Sequence, residues 1–443
     1  MDDLTRRTML RHSGALLALL PAAAAGAVDV QGQQPPPPPP GAPPIAGPTV
    51  TAEAAKLLEA WDAWCDGMKS AAREIVLREQ APLDDQPTLA DGFRYLARLA
   101  ALGIDLMMPH TPPDVPMLRR SLGPHSKMGG DNPDTIYSSA PIDPAGTYRV
   151  SGTLGSAHEV VFDSVRRPGA YGTEPQYPTE VRGEDLVRHP DGHFELIVSR
   201  TPHEGNWLPI DERVGSIQIR QVFGDWQRED QGHMLIERLD RAPEQPPSLT
   251  PDMVVHGVHA AQQFTRTMGT TFAQRAENLR RTPNRMQVAS DWEKFQGTPG
   301  GVGVDGYFVL QPDEALLIEF TPAKTFFWEF QVGNFWYESF DYRVVCSSLN
   351  MKQVDVRADG SVVLVLSAAD PGVRNWLSTA GHREGILFAR WIRVQATPPI
   401  PKTRVVKLEE WLRKLPPEVK TVTPAQRAAD QRARRLAVDW RFG

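Results

Sequence analysis

Cysteine is scarce: the chain of 443 residues holds two, Cys65 and Cys346. Two thiols so far apart match no metal-ligand spacing and supply no disulfide framework, so an apolar core must hold the fold. Whether the two pair is left open by sequence alone. A cationic surplus is missing as well, because 48 Lys and Arg against 54 Asp and Glu leave a net charge of −6. That balance argues against nucleic acid and against an anionic membrane surface as partners. Long apolar runs are absent too. The run Ala15 to Ala25 falls far short of the roughly 18–20 residues a spanning helix needs, which predicts no stable membrane span. Also missing are a Gly-x-Ser-x-Gly elbow, a P-loop, a helical zinc motif and a glycine-rich dinucleotide fingerprint after a strand. Neither cysteine has the electropositive, glycine-framed setting of a thiolate nucleophile.

What is present begins with an address. Thr5-Arg6-Arg7-Thr8-Met9-Leu10-Arg11, the apolar run and a small-residue exit at Ala25-Gly26-Ala27 have the layout of a signal peptide. The paired arginines resemble the twin-arginine export signal. The expectation is a bacterial protein exported by that machinery to the periplasm or beyond, with residues 1–27 as the signal. Residues 28–48 include six successive prolines, Pro35 to Pro40, and form a stiff linker with nothing to pack.

Beyond the linker, 41% apolar residues are ample for a core. Apolar spacing predicts helices over Thr51 to Glu79 and from Pro87, the second burying Phe93, Leu96, Leu99, Leu102 and Leu106. Short runs rich in β-branched and aromatic residues follow, among them Ser216-Ile-Gln-Ile-Arg220, separated by turn pairs such as Asp191-Gly192 and Asp359-Gly360. A helix over Pro251 to Arg281 interrupts two strand-rich blocks. A helix over Val406 to Leu415 and a charged, fraying tail over Pro424 to Arg435 end the chain. This pattern predicts an α+β fold with an antiparallel, jelly-roll-like β-sandwich. Its parts are a helical region over 49–128, a sandwich region over 129–401 with a helical insertion near 251–282, and a C-terminal helix and tail over 402–443. No internal repeat is evident.

Four segments concentrate unusual chemistry. Gly129-Gly-Asp-Asn-Pro-Asp-Thr-Ile-Tyr137 is a tight polar turn that could present Asp131, Asn132 and Asp134 to a ligand or order the first strand. Glu204-Gly-Asn-Trp-Leu-Pro209 fixes Trp207, either in the core or on a pocket wall. Thr325 to Arg343 carries Trp336, Tyr337 and Tyr342 near Glu338 and Asp341, suited to stacking a flat ligand or to filling a thick core; the two carboxylates could pair as acid and base on a glycoside. Asp370 to Arg393 gathers Asn375, Trp376, His382, Arg383 and Arg390, where a histidine could move a proton and arginines could clamp an oxyanion. His256 and His259, three apart on a predicted helix, lack a third ligand nearby, so no metal is assigned and the cofactor stays unidentified.

The Gly-Asp-Asn-Pro-Asp-Thr-Ile-Tyr string, Gly-Asn-Trp-Leu-Pro, Asn-Phe-Trp-Tyr-Glu-Ser-Phe-Asp-Tyr-Arg and Asn-Trp-Leu-Ser-Thr-Ala-Gly-His-Arg-Glu-Gly together resemble the domain-of-unknown-function family DUF1214. The likeness runs from Gly129 to Pro401. A companion family, DUF1254, has a similar Asn-Asp-Thr strand opening. Ser378 stands where the family pattern has aspartate, so no role of that carboxylate carries over. The resemblance implies an antiparallel β-sandwich with helical additions and no settled reaction.

Two functions follow from these residues. One is an exported enzyme, cofactor-free or weakly metal-dependent, acting on a small or carbohydrate-like ligand. His382 would transfer a proton, Asp131 or Asp134 would position it, and Arg383 and Arg390 would clamp an anion. Asn132, Trp207, Trp336, Tyr337, Asn375 and Trp376 would complete the substrate site. The other is a non-catalytic envelope or carbohydrate-binding protein using the same aromatic surface. Convergence of His382 with Asp131 or Asp134 in one concave site would separate them.

Overall fold

The computed structural model describes residues 50–108, 112–166, 174–241, 248–295, 297 and 299–443. The expected signal peptide (residues 1–27) and the proline-rich linker (28–48) lie outside them. Residues Thr51–Gly443 form one compact unit.

Alternation of inward apolar and outward polar side chains builds two sandwiches in series. The first contains β1 (Arg119–Arg120), β2 (Thr135–Pro141), β3 (Tyr148–Gly155), β4 (Glu159–Arg166), β5 (Glu180–Arg182), β6 (His193–Ser199), β7 (Trp207–Pro209), β8 (Val214–Val222) and β9 (Gln231–Arg238). The second contains β10 (Arg285–Val288), β11 (Val302–Val309), β12 (Glu314–Phe320), β13 (Thr325–Gly333), β14 (Ser348–Asn350), β15 (Val362–Ser367), β16 (Trp376–Ser378), β17 (Glu384–Val394) and β18 (Lys402–Lys407). Ile217 and Ile219 of β8 point into the first core, whereas Leu387, Ala389 and Trp391 of β17 point into the second.

The expectation of no internal repeat is overturned here. Sheet orders β1-β2-β8-β4-β5 and β7-β6-β3-β9 in the first sandwich reappear as β10-β11-β17-β13-β14 and β16-β15-β12-β18 in the second. Strand for strand the topology is the same, including one parallel pair in each, β6 with β7 and β15 with β16. The detail extends to side chains. Asn206 accepts from Val187 N and donates to Val187 O and Glu195 O, each at 2.8 Å. Asn375 accepts from Asp355 N and donates to Asp355 O, both at 2.7 Å, and to Val363 O at 3.2 Å. Trp207 and Trp376 then donate Nε1 to the backbone and hydroxyl oxygens of Ser199 and Ser367, respectively.

Helices cover one face of the second sandwich. They are α1 (Ala52–Ala71), capped by Thr51, α2 (Gln86–Met107), capped by Asp85, and α3 (Pro251–Arg280), capped by Thr250. Tyr95, Leu99, Met268, Phe272 and Ala276 bury against Tyr307, Ile386 and Phe388 of the sheet. The α2 stripe is rotated from the leucine pattern, leaving Phe93 47% exposed. The face is set instead by Asp91, which bonds His382, and by Gly103, where a Cβ would lie 2.9 Å from Ala261 O on α3.

The C-terminus departs most from expectation. Lys402–Lys407 is strand, paired with β12, so only α4 (Leu408–Arg413) remains helical of the expected Val406–Leu415. The charged tail is α5 (Pro424–Phe442), closed by a Thr423–Gln426 capping box and docked across both sandwiches. Arg427, Arg434 and Arg441 are seven apart, a spacing that puts them on one face. Their guanidiniums lie over Trp376 at 5.1 Å, Trp226 at 4.6 Å and Phe223 at 5.0 Å.

Candidate functional site

The glycine turn sits where the sandwiches meet. Gly129 and Gly130 take φ of +64° and +71°, and a Cβ on either would fall 2.5–2.6 Å from a ring, Phe272 or Phe388. The turn is fastened from the second sandwich. Gly130 N donates to Tyr337 O at 2.7 Å, Gln331 donates to Asp131 O at 2.8 Å, and Arg390 donates to Gly130 O. Asp131 accepts from Ser339 Oγ at 2.7 Å and Ser339 N at 3.1 Å, while Lys127 donates to Ser339 Oγ and to the carbonyls of Ser339 and Phe340. Burial lowers the Lys127 pKa against the pull of Asp131 and Glu338.

Above this turn lies a cleft of about 90 Å³ between the outer faces of β8 and β17, with α3 along one side. Asp131, Tyr337 and Arg390, three residues expected in a site, line it together. Tyr337 holds φ at +62°. That left-handed backbone seats its ring between Phe272, at 5.4 Å, and Phe388, at 5.0 Å. Across the cleft, Tyr177 donates its hydroxyl to Gln218 at 2.7 Å, with Tyr137 beside them. A larger hollow adjoins at Tyr177 and Gly297.

The cations of the cleft are already compensated. Arg390 pairs with Glu329 and donates to Gln331 at 2.7 Å. Arg275 bonds Asp305 at 2.6 Å and Asp291 at 2.8 Å. Behind Gln218, Arg220 pairs with Asp163 at 2.7 Å. Burial dominates both carboxylates on the central strands: Glu329 is pushed up to about 7 and Asp163 to about 6, despite the arginines. A ligand in the cleft therefore meets rings, hydroxyls and an amide, with Arg275 and Arg390 paired to carboxylates and the Asp131 carboxylate held by Ser339.

The other expected residues lie elsewhere. His382 meets neither Asp131 nor Asp134. Its Nε2 is 2.9 Å from Asp91 Oδ2, its Nδ1 is 3.3 Å from Thr379 O, and its ring lies against Phe340. Burial raises the Asp91 pKa, but bonds from His382 and Asn334 and the Arg94 charge outweigh it and hold the carboxyl low. Asn334 bridges Asp91 to Glu338, which accepts from Arg98 at 2.6 Å, so this network rivets α2 to the loop over 334–340. Glu338 is thus engaged with Arg98 rather than with Asp341. Asn132 bonds its own turn at Asp134 N. Asp134 is fully buried, accepting from Trp226 at 2.6 Å and Asn350 at 2.7 Å. Trp336 is buried and donates to Thr88 O on α2. Arg383 turns outward to Asp84 and Asp85. Trp207, Asn375 and Trp376 are the paired sandwich clamps. The aromatics therefore form no open row.

Cys65 and Cys346 are free thiols. His256 and His259 are exposed on α3, and among the described residues no group of three His, Cys, Asp or Glu side chains could hold a metal. No helix among them is long and apolar enough to cross a membrane. Of the cleft residues not expected from sequence, Gln218 had a visible signal: polar Gln218 and Arg220 alternate with Ile217 and Ile219. Phe272 and Arg275, three apart on α3, share a helix face but carried no such mark.

A family model and a solved relative match this chain. The model of a family described as protein of unknown function, DUF1214, matches residues 310–398, which fall in the second sandwich. The crystal structure of an uncharacterized protein from Burkholderia cenocepacia is 32% identical, with a TM-score of 0.76, covering 80% of this chain and 99% of that one. A structure from Vibrio parahaemolyticus is 11% identical, with a TM-score of 0.41, covering 70% of this chain and 99% of that one. No curated protein matches.

Proposed function

We propose, for a chain that belongs to the DUF1214 family of proteins of unknown function, an exported protein that holds a small, partly apolar ligand in the cleft between its sandwiches. One observation carries this reading. Asp131, Tyr337 and Arg390 come from three motifs far apart in sequence, yet they converge on one recess walled by Phe272 and Phe388. Stacking on rings with hydrogen bonds from tyrosines suits a small hydroxylated aromatic, uncharged or weakly charged; a sugar ring would extend into the adjoining hollow at Tyr177 and Gly297. Because Arg390 and Arg275 already face carboxylates, a strong anion would have to displace an internal partner.

Binding is favoured over catalysis by the commitments of the candidate groups. A proton-transfer residue needs a free ring nitrogen or carboxylate within reach of its substrate. His382 spends both nitrogens on Asp91 and Thr379, and Asp131 spends both oxygens on Ser339. Glu329 titrates near neutrality but sits behind Arg390.

Native mass spectrometry on the mature protein recovered after export is the direct test. The expected outcome is a reproducible added mass on the wild type that is lost from Phe388→Ala, with far-ultraviolet circular dichroism unchanged. A bare wild-type mass, together with no thermal shift from a panel of small sugars and phenols, would overturn the reading.

A further inference from the structure

A separate recess of about 290 Å³ opens where α5 crosses the second sandwich and the loop after β8. We propose that this groove binds a small, multiply charged anion of the phosphate-ester or polycarboxylate class, bridging α5 to that loop.

The argument begins with charge. Arg228, Lys352, Arg374, Arg427 and Arg434 line the groove against two carboxylates, Asp225 and Asp430. Three of these cations are paired: Arg228 with Asp225 at 3.1 Å, Arg374 with Asp430 at 2.5 Å, and Arg427 with Asp370 at 2.9 Å. Arg434 is different. Its guanidinium donates to neutral acceptors, Ser348 O at 2.6 Å and Ser348 Oγ at 3.2 Å, and approaches the Cys346 sulfur. Lys352 is exposed, and its ammonium makes no ion pair within 4 Å among the described residues. Two cations of one recess thus lack a direct carboxylate ion pair among the described residues, although the buried Asp134 carboxylate feels the Arg434 charge, in a chain whose net charge is −6. General attraction cannot account for an anion binding such a chain; local geometry would have to.

Position strengthens the case. The Trp226 indole lies between the guanidiniums of Arg434, at 4.6 Å, and Arg441, at 4.3 Å, so the Arg434 fork is held in place before any ligand arrives. Cys346 donates its thiol hydrogen to Trp376 O at 3.2 Å, and the two lining carboxylates, Asp225 and Asp430, are held by Arg228 and Arg374. The volume lies at the lower end of the roughly 300–1,000 Å³ of small-molecule sites, which favours a compact anion.

Calorimetric titration of the mature chain at low salt with sodium pyrophosphate and with citrate tests this, with sodium chloride at matched ionic strength as control. At least one anion is expected to bind, and Lys352→Glu, a change at an exposed side chain, should weaken it tenfold or more. Arg434→Gln should do the same, and the bound anion should slow amide hydrogen exchange along α5. Tighter pyrophosphate assigns the phosphate class, and tighter citrate the carboxylate class. Heat no greater than the chloride control for both anions, or wild-type affinity in Lys352→Glu, overturns the proposal. Should Arg434→Gln loosen α5, Lys352→Glu alone still decides.

Discussion

Gly130 and Tyr337 meet backbone to backbone, and each takes a left-handed conformation to do so. For Tyr337 such a φ costs roughly 1–2 kcal/mol, and the surrounding bonds must offset it. Gly130→Ala would add the same strain and drive a methyl to within 2.6 Å of the Phe388 ring. A loss of about 2–4 kcal/mol in urea unfolding is expected, together with loss of ligand capture. The two glycines and the arginine were legible because such residues have few uses. His382 misled for the opposite reason: a histidine in a loop looks the same in sequence whether its nitrogens are free or spent, and Asp91, which spends one, lies on a distant helix. Glu329 supplies a second expectation at this scale. Its folded pKa of about 7 lies above the ordinary 4.5, so the folded chain binds the proton more tightly than the unfolded one. The group's contribution to stability is therefore fully present below about 4.5 and is lost as pH rises through 7. Thermal melts should show the wild-type advantage over Glu329→Gln shrinking between about pH 5 and pH 8; an advantage that grows with pH would contradict the assignment.

At the scale of elements, the paired clamps make a symmetrical prediction with unequal sizes. Asn206→Ala and Asn375→Ala each strip three hydrogen bonds from a chain crossing, at a cost of roughly 1–3 kcal/mol. Asn375 is the more enclosed and should cost more in chemical denaturation. The double variant should be additive, since the clamps belong to different sandwiches. Strand alternation and the start of the first helix at Thr51 were readable because they are local. The repeat was not, although Asn-Trp-Leu stands at both 206–208 and 375–377 and Asp-Gly at both 191–192 and 359–360. Three shared residues in a row carry little weight in sequence, whereas the shared bonding to Val187 and Asp355 is visible only in the fold. The segment Pro424 to Arg435 was expected to fray for the same reason: the partners of the α5 arginines, Trp226, Trp376 and Phe223, come from other elements.

For the whole molecule, the two sandwiches share a buried seam. Val222 of one packs on Phe327 and Ile392 of the other, and Arg390 reaches across to Gly130. Separating them would strand the arginine's partners, so differential scanning calorimetry should show one cooperative transition for residues 51–443 rather than two. The proposed export is tested at this scale too. Replacing Arg6 and Arg7 with lysines should retain the protein in the cytoplasm of its host, as fractionation and immunoblotting would show; unchanged export would remove the twin-arginine reading.

The duplication bears on how such proteins diverge. Each sandwich keeps its own packed interior and its own clamp, and the ligand cleft belongs to neither interior. Of the cleft residues, Gln218 faces away from the first core and can change with little effect on that interior, whereas Phe388 also packs under α2 and α3 and is constrained by both roles. A change at the cleft wall can therefore alter what is bound only where the helical layer behind it tolerates the change.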